Sequence, residues 1–206
     1  MTKQEDDFYF ISDGELNSRV VTNQPDRFFV IDDVHFDSEI MMPVATINEI
    51  ELDSDLGFMA RTIYSEGAGQ SQEAKVALGE VIRNKAHDNT KPSSANNYNA
   101  QFSNVSTYEG VVTQSGQFES VGSSSSRYTN TLSFIGGNGG KRNKVRTSAF
   151  VNSMGAAIRV DRQYSSTAQG ATHFFSPYIS TPSWVRSMTL IQVQGVSSND
   201  FRFYKY

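Results

Sequence analysis

The feature that most constrains the fold is a pair of apolar helix faces separated only by the break Gly67-Ala-Gly-Gln70. The first segment begins at about Asp55, the expected N-cap, and Ser71 can cap the second. On both sides of the break, apolar residues recur at the spacing of one helical face. They are Leu56, Met59, Ala60 and Ile63, followed by Ala74, Ala77, Leu78, Val81 and Ile82. The sequence therefore predicts two amphipathic helices that each bury one face.

A carboxyl group lies on the first of these apolar faces. Glu66 follows Met59 by seven residues and Ile63 by three, in the last helical turn before Gly67. A glutamate on a helix is ordinarily a solvated surface residue. Burial and the negative end of the helix dipole both favour the neutral, protonated form of a carboxyl. A neutral acid at the edge of a core is suited to protonating a glycosidic oxygen, so Glu66 is the first catalytic candidate.

The rest of the chain mixes helical, strand-like and loop segments. A capping box, Ser106-Thr-Tyr-Glu109, predicts a short helix. A longer helix is predicted at about residues 145–160, with Phe150, Met154, Ala157 and Ile158 on one face. The Ser- and Gly-rich residues at about 122–143 indicate a loop insertion, and the last 40 residues favour strands and loops. The chain is therefore predicted to be α+β and mainly helical.

Residues 1–52 differ from the remainder, which is predicted to form the main domain at 53–206. They are acidic and carry two short strand-like runs, Arg27-Phe-Phe-Val-Ile31 and Ile40-Met-Met-Pro-Val-Ala45. One interpretation is a partly ordered N-terminal arm or hairpin that packs on the main domain. The other is a docking or delivery segment.

Composition excludes several classes of function. The net charge of -4 over 206 residues does not favour binding to nucleic acid or to an anionic membrane. The absence of cysteine excludes disulfides, thiolate metal sites and a cysteine nucleophile. The three histidines lack metal-ligand spacing, so neither a metal nor a cofactor is expected. No apolar run is long enough for a membrane span, and the acidic N-terminus does not have the pattern of a signal peptide.

Four segments that follow one another along the chain carry a resemblance to a known family. They are Ala60-Arg-Thr-Ile-Tyr-Ser-Glu66, Val76-Ala-Leu-Gly-Glu-Val-Ile-Arg-Asn84, Gly116-Gln-Phe118, and Gly170-Ala-Thr-His-Phe-Phe-Ser-Pro177 with Trp184. Together, over about residues 56–188, they resemble the SleB-type cell wall hydrolases, named after the spore-cortex-lytic enzymes. That family is similar in fold to goose-type lysozymes and lytic transglycosylases. The resemblance implies a lysozyme-like domain in which a small strand and loop region forms one wall of a glycan groove.

The resemblance also implies catalytic roles. It places the catalytic glutamate of the family at Glu66. The family usually has a second acidic residue four positions later, where this chain has Gln70. Its Asn-Arg pair corresponds to Asn84 followed by Lys85, in which lysine replaces the arginine. Independently of the resemblance, Glu119 is a candidate second carboxylate that orients water or stabilises positive charge at the sugar, or else an exposed loop residue.

The predicted substrate-binding residues come from several segments. They are Tyr64, Asn84, Gln117, Phe118, Thr172, His173, Phe174, Tyr178 and Trp184. Tyr64 and Tyr178 are expected to bind sugar hydroxyl or acetamido groups, and Phe174, Phe175 and Trp184 to stack on pyranose faces. The alternatives are structural: His173 as a hydrogen-bonded core histidine, and Tyr64 or one of the aromatic residues as packing alone.

The predicted function is cleavage of the β-1,4 bond between N-acetylmuramic acid and N-acetylglucosamine in peptidoglycan. A lytic transglycosylase with Glu66 as its single acid and base is preferred over a lysozyme in which water attacks with help from Glu119. The alternative from another class is a non-catalytic wall-binding module of a phage or a secretion apparatus. Without a signal peptide, delivery by lysis, by injection or through a missing leader is expected, and injection would imply an immunity protein as partner.

Overall fold

The computed structural model describes residues 5–87, 105–114, 117–118, 144–163, 167–168 and 170–205. The helices there are α1 (Asp55–Gly67), α2 (Gln72–His87), α3 (Tyr108–Val112) and α4 (Lys144–Asp161), with a 3-10 helix at Ser183–Ser187. The strands are β1 (Glu5–Ile11), β2 (Leu16–Thr22), β3 (Arg27–Asp37), β4 (Met42–Glu49), β5 (His173–Phe175), β6 (Thr189–Ile191) and β7 (Arg202–Lys205). The predicted α+β class is confirmed, with more strand than a mainly helical chain implies. None of the described helices is both long and apolar enough to span a membrane.

Three helices, α1, α2 and α4, form the centre of the core, and their apolar faces are those predicted from the sequence. The fully buried residues on these faces are Met59, Ala60 and Ile63 of α1, Ala74, Ala77, Leu78, Val81 and Ile82 of α2, and Phe150, Met154, Ala157 and Ile158 of α4. The helices meet closely at Gly79, where an added Cβ would lie 3.0 Å from Val160 Cγ2 and 3.1 Å from Ile63 Cδ1. A larger residue at this position would therefore push the helices apart.

The N-cap of the first helix lies one residue earlier than expected. Ser54, not Asp55, is the N-cap, and its side chain accepts a hydrogen bond from the Gly57 N–H at 3.2 Å. The Asp55 carboxylate instead accepts the backbone N–H of Glu109 at 2.8 Å. Both residues satisfy helix N-terminal N–H groups, but Asp55 does so for α3 and thereby links the two helices.

The N-terminal residues form a four-stranded sheet in the order β2-β1-β3-β4. β1 is antiparallel to β2 and parallel to β3, and β4 is antiparallel to β3. Alternate residues on the inner face, Phe8, Phe10, Phe28 and Val30, are buried. The Phe28 ring lies 5.3 Å from the Phe150 ring of α4, centroid to centroid. The inner face of the sheet therefore belongs to the same hydrophobic core as the helices.

The turn between β1 and β2 lies directly against α4. Gly14 has a positive φ of 85°, and a Cβ added at Gly155 would lie 2.4 Å from the Gly14 carbonyl oxygen. Only a residue without a side chain permits this approach. The domain boundary predicted after residue 52 and the docking role predicted for residues 1–52 stay predictions. The insertion predicted at about 122–143 lies outside the described residues.

The C-terminal residues form a second, three-stranded sheet in the order β5-β7-β6, with both pairs antiparallel. Aromatic side chains pack around its central strand, where Tyr204 lies 5.7 Å from the Phe175 ring and 5.6 Å from the Trp184 ring. Backbone pairing extends to Thr172, whose N–H donates to the Tyr204 carbonyl at 2.9 Å. This sheet positions His173 and Phe174 beside α2.

We expect Phe28→Ala to lower the free energy of unfolding by about 3–5 kcal/mol, because it opens a cavity between the sheet and α4. Phe29→Ala, on the opposite and partly exposed face, is the matched control and should cost clearly less. Chemical denaturation measures both. Equal losses, or a second unfolding transition in the Phe28 variant, would contradict a core shared by sheet and helices.

Candidate active site

Glu66 lies in the last turn of α1 and is half-buried, at the edge of the helical core. It is neither a fully solvated surface residue nor a fully buried one. Its neighbours in the helix, Ile63 and Ser65, are buried, and the Ser65 hydroxyl donates to the Arg61 carbonyl at 2.7 Å. The backbone that carries Glu66 is therefore held firmly on its inner side.

The turn that follows Glu66 is held by Gln70. The Gln70 N–H donates to the Gly67 carbonyl at 3.0 Å, and its side-chain Oε1 accepts the backbone N–H of Phe201 at 3.0 Å. The buried Lys75 ammonium donates to the Gln70 carbonyl. Gln70, which stands where a second acidic residue was expected, is thus a structural link between the turn and the C-terminal segment.

A second link lies one residue further along. The Asp200 carboxylate accepts the backbone N–H and the hydroxyl of Ser71, both at 3.0 Å, and the N–H of Ser197 at 2.9 Å. Burial raises the pKa of Asp200, but these hydrogen bonds outweigh burial and lower the pKa below its ordinary value. The Ser71 hydroxyl also accepts the N–H of Ala74 and so caps α2.

A row of aromatic contacts runs from this turn across the molecule. A Cβ added at Gly67 would lie 3.3 Å from the Phe201 ring. The Phe201 ring lies 5.0 Å from Phe174, and Phe174 lies 5.9 Å from Phe118, centroid to centroid. The turn after Glu66 is therefore connected by packing to the Phe118 and Phe174 segments that the sequence assigned to the groove.

His173 lies on β5 at the same wall. Its ring is 5.1 Å from the Trp184 ring, and its Nδ1 is 3.0 Å from the Thr172 hydroxyl oxygen. Burial, and then the charge of Lys85, lower the pKa of His173 to about 4. His173 therefore presents a neutral imidazole at neutral pH.

The end of α2 supplies two polar contacts to this region. The Asn84 side-chain amide donates to the Ala171 carbonyl at 2.8 Å. The Lys85 amine donates to Gln117 Oε1 at 2.9 Å and lies 5.1 Å from the centroid of the Phe118 ring. From the sequence, Lys85 was identified only as a replacement for arginine and was not among the predicted site residues.

The other predicted site residues are distributed as follows. Tyr64 is half-buried with its ring 5.5 Å from Phe150, so it contacts the helical core. Tyr178 is 74% exposed on the loop after β5. Glu119 lies outside the described residues. The assignment of substrate contacts to these side chains stays a prediction.

Glu80 is a buried carboxylate that the sequence analysis missed. It is 1% exposed in α2, and its oxygens accept the backbone N–H groups of Thr167, at 2.9 Å, and Ala168. These bonds hold the segment before β5 and leave Glu80 a structural role. Glu80 lies outside the apolar face predicted for α2, about 100° around the helix from Val81, so the sequence periodicity provided no signal that it is buried. In the part of the chain that the structure describes, no group of His, Asp and Glu side chains is arranged to hold a metal ion.

Comparison with known proteins identifies the class. The model of the cell wall hydrolase family matches residues 69–202, which is more than half of the 206 residues. This chain therefore belongs to the cell wall hydrolase family, and the family predicted from the sequence motifs is confirmed. The match begins three residues after Glu66, so it does not itself include the candidate acid.

The structure is also similar to the crystal structure of the catalytic domain of the Bacillus cereus SleB protein. The sequence identity is 20%, the TM-score is 0.41, and the alignment covers 73% of this chain and 89% of that chain. No curated protein matches this chain.

We expect Gln70→Leu to lower the free energy of unfolding by about 1–3 kcal/mol, because the Phe201 N–H loses its acceptor. Gln70→Glu, whose carboxylate can still accept that N–H, is the matched control and should lose less. Thermal or urea unfolding measures both. Equal stability of the leucine variant and the native chain would show that the link to Phe201 is dispensable.

We expect the imidazole of His173 to titrate with a midpoint near 4 in NMR spectra of the folded protein. The unfolded chain binds this proton near pH 6.5, so the free energy of unfolding should fall as the pH drops from about 6.5 towards 4. His173→Asn assigns the resonance and should flatten that part of the pH dependence. A midpoint near 6.5 would contradict the burial of this ring.

Proposed function

We propose that this cell wall hydrolase is a lytic transglycosylase that cleaves the β-1,4 bond between N-acetylmuramic acid and N-acetylglucosamine, with Glu66 as acid and then base. The observation that carries the proposal is the half-buried Glu66 carboxyl at the end of α1, connected through Phe201 to the aromatic wall. Membership of the family supports an enzyme that acts on the cell wall and therefore on peptidoglycan.

The proposed reaction needs one carboxyl group. Protonated Glu66 gives its proton to the bridging oxygen, the bond to C1 of the muramic acid breaks, and positive charge develops on that sugar ring. Glu66, now a carboxylate, stabilises this charge and then accepts the proton of the C6 hydroxyl. The O6–C1 bond forms, the 1,6-anhydro ring closes, and Glu66 is protonated again. No water enters the products.

The side chain at position 70 supports this single-carboxyl route. Gln70 cannot act as a general base, and its Oε1 accepts the Phe201 N–H. Among the described residues, the buried Glu80 is likewise committed to backbone N–H groups. A water-activating role would therefore fall to Glu119, and this is the second candidate, a lysozyme.

The wall residues are proposed to bind the glycan. His173 and Trp184 form a half-buried ring pair that can contact an uncharged sugar face, and His173 does so without a charge. Tyr178, exposed at the adjacent loop, supplies a hydroxyl to the same region. Asn84 and Gln117 already make internal hydrogen bonds, so we assign them to shaping the wall.

The partner and delivery route form a separate part of the proposal. The N-terminal sheet precedes the residues that match the family, which suits a segment for docking or delivery. An immunity protein that covers the groove would accompany delivery by injection into a competing cell. The Gln70 substitution also suits a wall-binding module without turnover, which the following experiment separates from an enzyme.

We expect purified sacculi incubated with the native protein to release muropeptides with 1,6-anhydro ends, identified by mass spectrometry. Glu66→Gln should reduce release by at least about 100-fold, since it removes the proton donor but keeps the shape. Glu73→Gln, the same change at an exposed position of α2, is the matched control and should retain activity.

The products and variants separate the alternatives. Reducing ends together with a large loss in Glu119→Gln would establish a lysozyme and overturn the transglycosylase. Binding to sacculi without release by the native protein would establish the wall-binding module. Full activity of Glu66→Gln would remove Glu66 from the mechanism.

A further inference from the structure

Lys85 is a buried lysine that the proposed reaction does not use. Its side chain is 5% exposed in the last turn of α2, and burial lowers the pKa of its amine to about 7. Placing an amine in an apolar environment is unfavourable unless hydrogen bonds compensate for the lost water. The contacts of the amine therefore indicate why a lysine is buried at this position.

Both of the contacts described above for Lys85 lead to one short segment. The amine donates to Gln117 Oε1 at 2.9 Å and lies 5.1 Å from the Phe118 ring centroid, within the range of a cation–π contact. Phe118 is itself buried and lies against Phe174 of β5. A single amine thus connects the end of α2 to the segment that packs on the aromatic wall.

The residue before Lys85 makes an equivalent connection to the other side of the wall. Asn84 donates to the carbonyl of Ala171, which comes two residues before His173. The last turn of α2 therefore holds two chain segments that are more than 50 residues apart in sequence, one through each of two adjacent side chains. Neither segment is regular secondary structure at its point of attachment.

The charge of Lys85 also reaches the wall. It contributes, after burial, to the lowered pKa of His173. The buried amine therefore affects the ring that contacts Trp184. A change at Lys85 is expected to alter both the position of the wall and the electrostatic environment of His173.

We propose that Lys85 is a positioning residue of the glycan groove, whose amine holds Gln117 and Phe118 against β5 and so sets the shape of the wall that binds the sugar. The proposal rests on the proposed function in one respect, namely that this wall binds glycan. The holding of the segment is a property of the protein alone. The two parts can therefore be tested separately.

Because the chain contains no cysteine, a cysteine introduced at position 85 is the single thiol that can be alkylated. Lys85→Met keeps an unbranched apolar side chain as far as Cε and removes the amine. Lys85→Cys, alkylated in denaturant with 2-bromoethylamine and refolded, restores an amine at position 85 alone. The same protein alkylated with bromoethane is the matched apolar control, and the native chain taken through the same cycle controls for refolding.

One measurement tests whether the segment is held, and a second tests whether the groove binds glycan. Hydrogen exchange of the peptide that contains Gln117 and Phe118, followed by mass spectrometry, reports how firmly the segment is held, without any glycan. Binding of a soluble GlcNAc–MurNAc tetrasaccharide, followed by the fluorescence of Trp184, the single tryptophan, reports the groove. The binding variants also carry Glu66→Gln, so that turnover does not consume the ligand.

We expect Lys85→Met to accelerate exchange in the segment and to weaken tetrasaccharide binding, each by about tenfold, the order of one lost hydrogen bond to a charged group. The ethylamine adduct should restore both, and the ethyl adduct neither. Combining Lys85→Met with Gln117→Leu should weaken binding no further than the stronger single change, because both remove the same bond.

Unchanged exchange in Lys85→Met, or equal recovery with the two adducts, would overturn the proposal. Faster exchange with unchanged binding would overturn it as well, because Lys85 would then be structural only. Failure of the enzyme proposal has a different signature, the absence of muropeptide release by the native protein. That result leaves the exchange measurement and tetrasaccharide binding as independent readouts of Lys85.

Discussion

The rest of the site depends on the fastening of the turn after α1 to the C-terminal segment. Gln70 and Ser71 bind Phe201 and Asp200 across about 130 residues of sequence. Each of these bonds gives an acceptor to a backbone N–H that would otherwise have none. Loss of one bond therefore lowers the free energy of unfolding, because the N–H stays buried without a partner. Because Glu66 stands directly before this turn, the position of the carboxyl relative to the aromatic wall is set by these contacts.

Polar side chains of α2 hold the segments that form the aromatic wall, through hydrogen bonds within the protein. Asn84 binds Ala171, Lys85 binds Gln117, and Glu80 binds the backbone before β5. All three lie on α2, so one helix positions two separate segments, residues 117–118 and the backbone before β5. The polar groups are satisfied by specific partners, and a buried network of this kind favours one arrangement over looser alternatives. The aromatic rings then pack on a frame that α2 defines.

Much of this fold was accessible from local patterns. The apolar faces of α1, α2 and α4 were predicted from their spacing, because a helical face depends on residues three and four apart. The parallel pairing of β1 with β3 was not predicted, since it joins strands whose residues are 20 apart in sequence. The capping of α1 by Ser54 was also missed, because Ser54 and Asp55 are both good N-cap residues and only the tertiary structure distinguishes them.

The amino-acid sequence by itself determined the helical core, the family through its ordered motifs, and Glu66 as the candidate acid at the end of a helix. These follow from short-range periodicity and from motif order, which need no knowledge of distant contacts. Only the tertiary structure decided that Gln70 is a structural link, that His173 is neutral, and that Lys85 is buried and binds Gln117. Burial and hydrogen-bond partners decide such roles, and both arise from residues brought together across the length of the chain.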